Sequence, residues 1–200
     1  MGIIVKTGKA LLGVIYAFMK LSPVKNRIVF ISRQENRPSM DISMLAEKFR
    51  KDGYETEILC RTLDPGLGNT VSYAFHMLRQ MKLIATSRVV ILDSYCIVAC
   101  LLKHRQETTI IQMWHALGSM KKFGYSILDM PEGRSSRTAK LMNMHGNYDY
   151  VFTSSRASRP YFAEAFGYPE EKLTVMSLPR VDILKSEERD RENREAVFKK

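Results

Sequence analysis

Residues 88–94 read RVVILDS, a run of apolar residues that ends abruptly in an acid and a serine. A strand with one solvated face alternates apolar and polar side chains, whereas a strand covered on both faces runs continuously apolar. Residues 88–92 therefore predict a buried strand of a parallel sheet, with Asp93 and Ser94 just past its carboxyl end. The same reading applies to RIVFI at 27–31 and to residues 108–111, and further strands are expected at 54–60, 148–153 and 173–176. Between them lie helical patterns. Residues 41–53 carry Ile42, Leu45, Ala46 and Phe49 at helical spacing and close at Gly53. Residues 70–85 repeat the pattern with Val71, Ala74, Phe75, Leu78, Met81 and Ile84. A helix follows Asp93-Ser94 to about Lys103, and RPYFAEAFG is capped from Ser158. Strands alternating with helices, without hairpin signals, specify an α/β fold: a Rossmann-like parallel sheet with helices on both faces.

Right-handed crossovers turn the carboxyl ends of all parallel strands to one edge, where ligands bind. That edge is expected to gather Ser32-Arg33, Asp93-Ser94, His115, Ser154-Ser155 and Arg180 to Asp182. Residues 110–127, IIQMWHALGSMKKFGYSI, are the densest part of it. His115 follows a strand end beside Trp114. Gly118 and Gly124 mark turns or close backbone approaches, and Lys121 and Lys122 stand between them. A histidine with adjacent cations and loop amides suits acid–base chemistry on a phosphate-bearing substrate. The structural alternative is a large core residue beside a hydrogen-bonded imidazole. If strands 88–92 and 108–111 are neighbours, the Asp93 carboxylate can accept from one His115 nitrogen and leave the other as base. His145 ranks second, because it precedes its strand, a position that can face the opposite edge. His76, in a helix, and His104, in a charged turn, are read as structural or solvated. Gly66 and Gly68 form a plain turn, and a hydrolase built on Ser94 or Ser154 lacks the GxSxG signature.

Two hundred residues carrying a net charge of +10 support one substantial domain with an anionic partner. The three cysteines have neither disulfide-framework nor zinc-site spacing; Cys96 and Cys100 read as small core residues in a reducing compartment, and no metal site is expected. Six basic residues and no acid occur before Gln34. Within that segment Leu11, Leu12, Val14, Ile15, Phe18 and Met19 fall at helical spacing, with Lys6, Lys9 and Lys20 around them. The run is too short to span a bilayer and lacks a signal-peptide cleavage site. Two placements remain: an amphipathic helix in an anionic membrane interface, or one docked on its own domain. Nucleic acid is not the expected partner, since the positive excess is concentrated in this helix and no homeodomain, zinc-finger, RNP or KH signature is present. From Lys185 onward mixed charges predict a solvated helix or linker.

Four segments resemble one family. QMWHALGSMKKFGYS is similar to the WHG-L-K-G motif of the CDP-glycerol glycerophosphotransferases, the teichoic-acid primases and polymerases of Gram-positive bacteria. NYDYVFTSS, YFAEAFG and LPRVDIL continue the resemblance over residues 27–184. Ala116 departs from the family's usual Gly. The resemblance implies the N-terminal, acceptor-side half of a GT-B-type fold: residues 1–22 a basic membrane-associating helix, 23–184 the Rossmann-like domain, and 185–200 a charged linker toward a donor-binding half. It implies transfer of a polyol phosphate from CDP-glycerol or CDP-ribitol to a lipid-linked acceptor, with release of CMP, on the cytoplasmic face of the membrane. No cofactor is expected in this half, and self-association into a homo-oligomer is compatible with it. His115 then resembles the family's catalytic base, and Asp93 is its expected partner from the strand-neighbour reading above. Trp114, Gly118, Lys121, Lys122, His145, Ser154 and Arg180 become candidates for holding substrate or phosphate, and Lys6, Lys9 and Lys20 for touching the membrane.

Overall fold

A computed structural model describes residues 2–198. Its six strands are β1 (Lys25–Ser32), β2 (Glu55–Cys60), β3 (Ser87–Leu92), β4 (Thr109–Gln112), β5 (Tyr150–Thr153) and β6 (Leu173–Val175). They form one sheet in the order β2-β1-β3-β4-β5-β6, with every pair parallel. The helices are α1 (Gly2–Met19), α2 (Met40–Lys51), α3 (Leu67–Ala85), α4 (Ile97–Leu101), α5 (Ser136–Leu141), α6 (Arg159–Phe166), α7 (Arg180–Leu184) and α8 (Glu187–Phe198).

The continuous apolar strands are buried on both faces. Val29, Ile31, Leu59, Val90, Leu92, Ile110 and Val151 point to one side, where Met81 and Ile84 of α3, Val98 and Ala99 of α4, and Phe162 and Phe166 of α6 cover them. Ile28, Phe30 and Ile91 point to the other, against Ile42 and Ala46 of α2 and Leu178. Period-two side chains therefore feed two cores from single strands. Each fully buried large aliphatic side chain contributes about 1.5–3 kcal/mol.

Some boundaries differ from the sequence pattern for local reasons. β5 starts at Tyr150; before it, Tyr148 N donates to Tyr168 Oη at 3.0 Å, and Asp149 is tied to Ile110 twice, its N donating to Ile110 O at 2.8 Å and its Oδ2 accepting from Ile110 N at 2.7 Å. α4 stops at Leu101, since Leu102 is extended. All three cysteines are free, Cys96 and Cys100 in the core, where burial pushes the Cys100 thiol up to about 12.

α1 is docked on the domain. Tyr16, only 2% exposed, packs with Leu12, Ile15 and Met19 on the α3 side of the core. Its hydroxyl lies 2.7 Å from His104 Nδ1, while His104 Nε2 lies 2.6 Å from Ala99 O. A carbonyl can only accept, so Nε2 carries the proton and Nδ1 accepts from Tyr16. The opposite stripe of the helix is bare: Leu11, Val14 and Phe18, continued by Leu21 beyond the helix, are all exposed. Lys6 and Lys9 are exposed as well. Lys20 is engaged, donating to Lys103 O at 3.1 Å and lying over the Tyr16 ring. Among the described residues no helix is long and apolar enough to cross a membrane.

Candidate active site

The strand order creates the crevice. From β1 the chain moves outward to β2, then returns past β1 to β3, so the loops leaving β1 and β3 diverge at the carboxyl edge. Such a topological switch point is where open α/β sheets bind ligands. Here the loops are tied together, with Ser94 Oγ accepting from Arg33 N at 2.9 Å, and the β1 loop is braced internally by Ser32 Oγ, which accepts from Gln34 N at 3.2 Å.

β4 lies beside β3, with Leu92 opposite Gln112, so His115 reaches Asp93 as the sequence suggests. It does not meet the carboxylate. His115 Nδ1 lies 2.8 Å from the Asp93 backbone carbonyl, because the chain turns sharply at Trp114 and brings the ring under the β3 end. A carbonyl cannot donate, so Nδ1 carries a proton, and the neutral ring has its lone pair on Nε2. The Gln34 carboxamide, placed with Nε2 3.3 Å from the same Nδ1, then fits better with its oxygen turned to the ring. The Asp93 carboxylate is 1% exposed and neither oxygen has a partner in hydrogen-bonding geometry. Burial raises its pKa above the ordinary carboxylate range, outweighing the Ser32 and Ser94 hydroxyls and the His115 ring nearby, which pull it down.

Gln112 holds the turn. Fully buried at the end of β4, it accepts from Trp114 N at 3.0 Å and donates to Ser94 O at 3.2 Å and Tyr148 Oη at 3.1 Å. This supports Trp114 at φ +61°, a left-handed conformation that costs a bulky residue roughly 1–3 kcal/mol. The indole also stacks on Phe123, with centroids 4.6 Å apart and planes 15° apart, and meets Phe166 edge-on. Gln112 carried a readable signal, a lone amide ending an apolar strand, but periodicity alone reads it as a strand end.

Next to this turn is a cavity of about 320 Å³ lined by Arg33, Tyr95, Trp114, Glu132, Arg134 and His145, among others. His145 therefore shares the crevice with Trp114 rather than facing the opposite edge, because residues 143–147 fold back through three left-handed positions, Asn143, His145 and Asn147. Its ring is 4% exposed, and burial, with Arg134 adding to it, lowers its pKa to about 4. Gly124 makes room for it: at φ +59°, a Cβ there would stand 2.2 Å from Ala165 O and 3.3 Å from His145 Nε2.

Other expected ligands lie elsewhere. Lys121 and Lys122 are exposed and line a separate recess with Phe123, Tyr161 and Glu164. Gly118 has open space around its α-carbon and no positive φ, so no neighbour within the chain requires glycine there. Ser154 donates to Leu117 O and pins the loop to β5. Arg180 is adjacent to the site, with Nη2 3.4 Å from His115 O, but its guanidinium is committed to Asp41. Nε and Nη2 both donate to Oδ2, the former at 2.7 Å, and Arg180 N reaches Oδ1 at 2.9 Å. Through Nε and Nη2 it ties the His115 loop to α2. His76 is partly buried on α3 and His104 is the α1 latch. Among the described residues no group of three or more His, Cys, Asp or Glu side chains is placed to hold a metal ion.

Known proteins share this architecture. A variant of the wall teichoic acid polymerase TagF superimposes with a TM-score of 0.64 over 94% of this chain and 50% of that one, at 19% identity. The teichoic acid ribitol-phosphate primase of Bacillus spizizenii is 37% identical over 177 residues, 87% of this chain and 46% of the primase. The teichoic acid poly(ribitol-phosphate) polymerase of the same organism is 29% identical over 174 residues, 84% of this chain and 26% of that protein. The chain thus spans less than half the length of these two relatives. The sequence pattern of one family covers residues 14–197, and by that match the chain belongs to the CDP-glycerol:poly(glycerophosphate) glycerophosphotransferase family.

Proposed function

We propose that this chain is the acceptor-side part of an enzyme that transfers glycerol phosphate, or ribitol phosphate, from its CDP derivative to a hydroxyl of a lipid-linked teichoic-acid acceptor. The observation that carries the reading is the His115 tautomer. With Nδ1–H held by the Asp93 carbonyl at 2.8 Å, Nε2 is the nitrogen that serves as base in the neutral ring. It takes the proton of the acceptor hydroxyl as that oxygen attacks the donor's β-phosphorus in line. The new oxygen–phosphorus bond forms as the bond to the leaving CMP oxygen breaks. Donor binding is assigned to a second half, like the remainder of the longer relatives. A lipid-linked acceptor also fits the bare Leu11, Val14, Phe18 and Leu21 stripe flanked by Lys6 and Lys9, which would lie in the cytoplasmic membrane interface.

The test is CMP release from CDP-glycerol and CDP-ribitol with a lipid-linked glycerophosphate acceptor, using the chain alone and joined to the second half of the ribitol-phosphate primase. The joined form should release CMP, and His115→Gln should lower the rate about 10²- to 10⁴-fold, the usual contribution of a positioned base. No release with either donor overturns the proposal.

A further inference from the structure

The cavity beside Trp114 carries two guanidinium groups that the chemistry above does not use. Both are oriented by Tyr95, and the Arg33 guanidinium also lies over the Tyr73 ring, 5.9 Å from its centroid. Arg33 Nη1 donates to the Tyr95 carbonyl at 3.2 Å, and the Arg134 guanidinium lies over the Tyr95 ring, 5.7 Å from its centroid. Tyr95 itself is tied down through its hydroxyl to Met142 O at 3.3 Å. Arg134 makes no side-chain hydrogen bond or ion pair among the described residues, and Arg33, whose Nε is enclosed, keeps Nη2 without a hydrogen-bond partner there. Arginines held on aromatic faces and left with unused donors are suited to bidentate binding of phosphate or carboxylate.

The third group is His145, and its neighbours fix its tautomer. Tyr148 Oη receives the Gln112 amide at 3.1 Å and the Cys100 thiol at 3.4 Å. Its own proton is then directed to His145 Nδ1, 3.2 Å away. Nδ1 accepts, so Nε2 carries the hydrogen on the side of Gly124 and the cavity. Burial keeps the imidazole neutral. It donates without adding charge, and protonation changes near neutral pH leave it unaffected. Glu132, exposed on the rim, repels an anion placed against it but accepts from hydroxyl groups. About 320 Å³ is the space of roughly ten water molecules, enough for a phosphate with a short polyol.

We infer that Arg33, Arg134 and the His145 Nε2–H form a phosphate subsite for the terminal polyol-phosphate unit of the acceptor, with Glu132 accepting from its hydroxyls. This rests on the transferase reading: seating the terminal phosphate here would leave the chain-end hydroxyl near Trp114 and the adjacent His115. The site lies at the switch point between the β1 and β3 loops, where an α/β sheet presents its ligand.

The probe is glycerol 3-phosphate, titrated calorimetrically into the chain and followed by emission of Trp114, the one tryptophan in the sequence. Glycerol 3-phosphate should bind and shift the emission, while glycerol should do neither. Arg134→Gln, at an exposed position, should weaken binding about tenfold or more, with Arg134→Lys between the two. His145→Gln should weaken it without changing its dependence on pH between about 6 and 8. Equal affinity in wild type and Arg134→Gln overturns the subsite, as does equal binding of glycerol. Since no CDP donor is present, failure here leaves CMP release to be judged separately, and failure of CMP release leaves this binding result standing.

Discussion

A carbonyl oxygen only accepts, so the contact from His115 Nδ1 to Asp93 O places a proton on Nδ1 and leaves the Asp93 carboxylate buried beside the Ser32 and Ser94 hydroxyls, not bonded to the imidazole. The consequence for stability has a definite sign. Because the folded-state pKa of Asp93 is raised by burial, the native chain retains a proton that the unfolded chain has lost over the window between the two values. Its contribution to stability is therefore fullest in acid and declines as pH rises through that window. Asp93→Asn removes the decline. Thermal melts should show the variant gaining on wild type as pH rises above the ordinary carboxylate range, and a constant difference in Tm would contradict the assignment. Sequence reasoning brought these two residues together correctly, since neighbouring β3 and β4 place both at one edge. It failed on which oxygen is used, because a left-handed Trp114 is invisible to periodicity. For the same reason Gln112 deserves a direct test at this scale. Gln112→Leu orphans Trp114 N, Ser94 O and one interaction of Tyr148, and should cost about 2 kcal/mol or more in denaturant melts.

At the scale of elements, α1 meets one of the two expectations drawn from its pattern, docking on the domain, and does so with one face only. The Tyr16–His104–Ala99 chain and the Leu12, Ile15 and Met19 side chains bind it to the domain, while Leu11, Val14 and Phe18 remain outside. Helical periodicity reveals that a helix is apolar on a broad arc, but not that the arc is divided between a core and an open surface. If the open stripe lies in lipid, Leu11→Ser with Phe18→Ser should lower co-sedimentation with anionic vesicles at least about tenfold, since each apolar side chain contributes more than the 1.4 kcal/mol that a tenfold change requires. The Tm should hold, because neither residue supports the core. Glycines show a similar division. Gly118 and Gly124 look alike in sequence, yet only Gly124 has a positive φ and a carbonyl where its Cβ would be. Gly124→Ala should destabilise by about 2 kcal/mol or more and disturb His145. Gly118→Ala should stay within about 0.5 kcal/mol.

Across the whole molecule the sheet itself was legible, since six apolar runs separated by amphipathic helices admit little besides a parallel α/β layer. What could not be read was how the far end of the chain closes on its beginning. Asp41, in the first turn of α2, is 1% exposed, and its carboxylate is held by Arg180, 139 residues later. Arg180 also reaches the His115 carbonyl, so one guanidinium joins α2, α7 and the His115 loop. A phosphate ligand and a structural clamp make opposite predictions. If Arg180 gripped substrate, Arg180→Gln would raise KM and leave the melt unchanged. As a clamp, its loss strands a buried carboxylate and should cost about 3 kcal/mol, the low end for such an orphan because Arg180 is itself partly exposed. Asp41→Asn added to Arg180→Gln should recover much of that loss by replacing the stranded charge with an amide. Activity of the double variant should return with stability only as far as the His115 loop regains its position, so a double-mutant cycle in Tm and kcat separates the two roles.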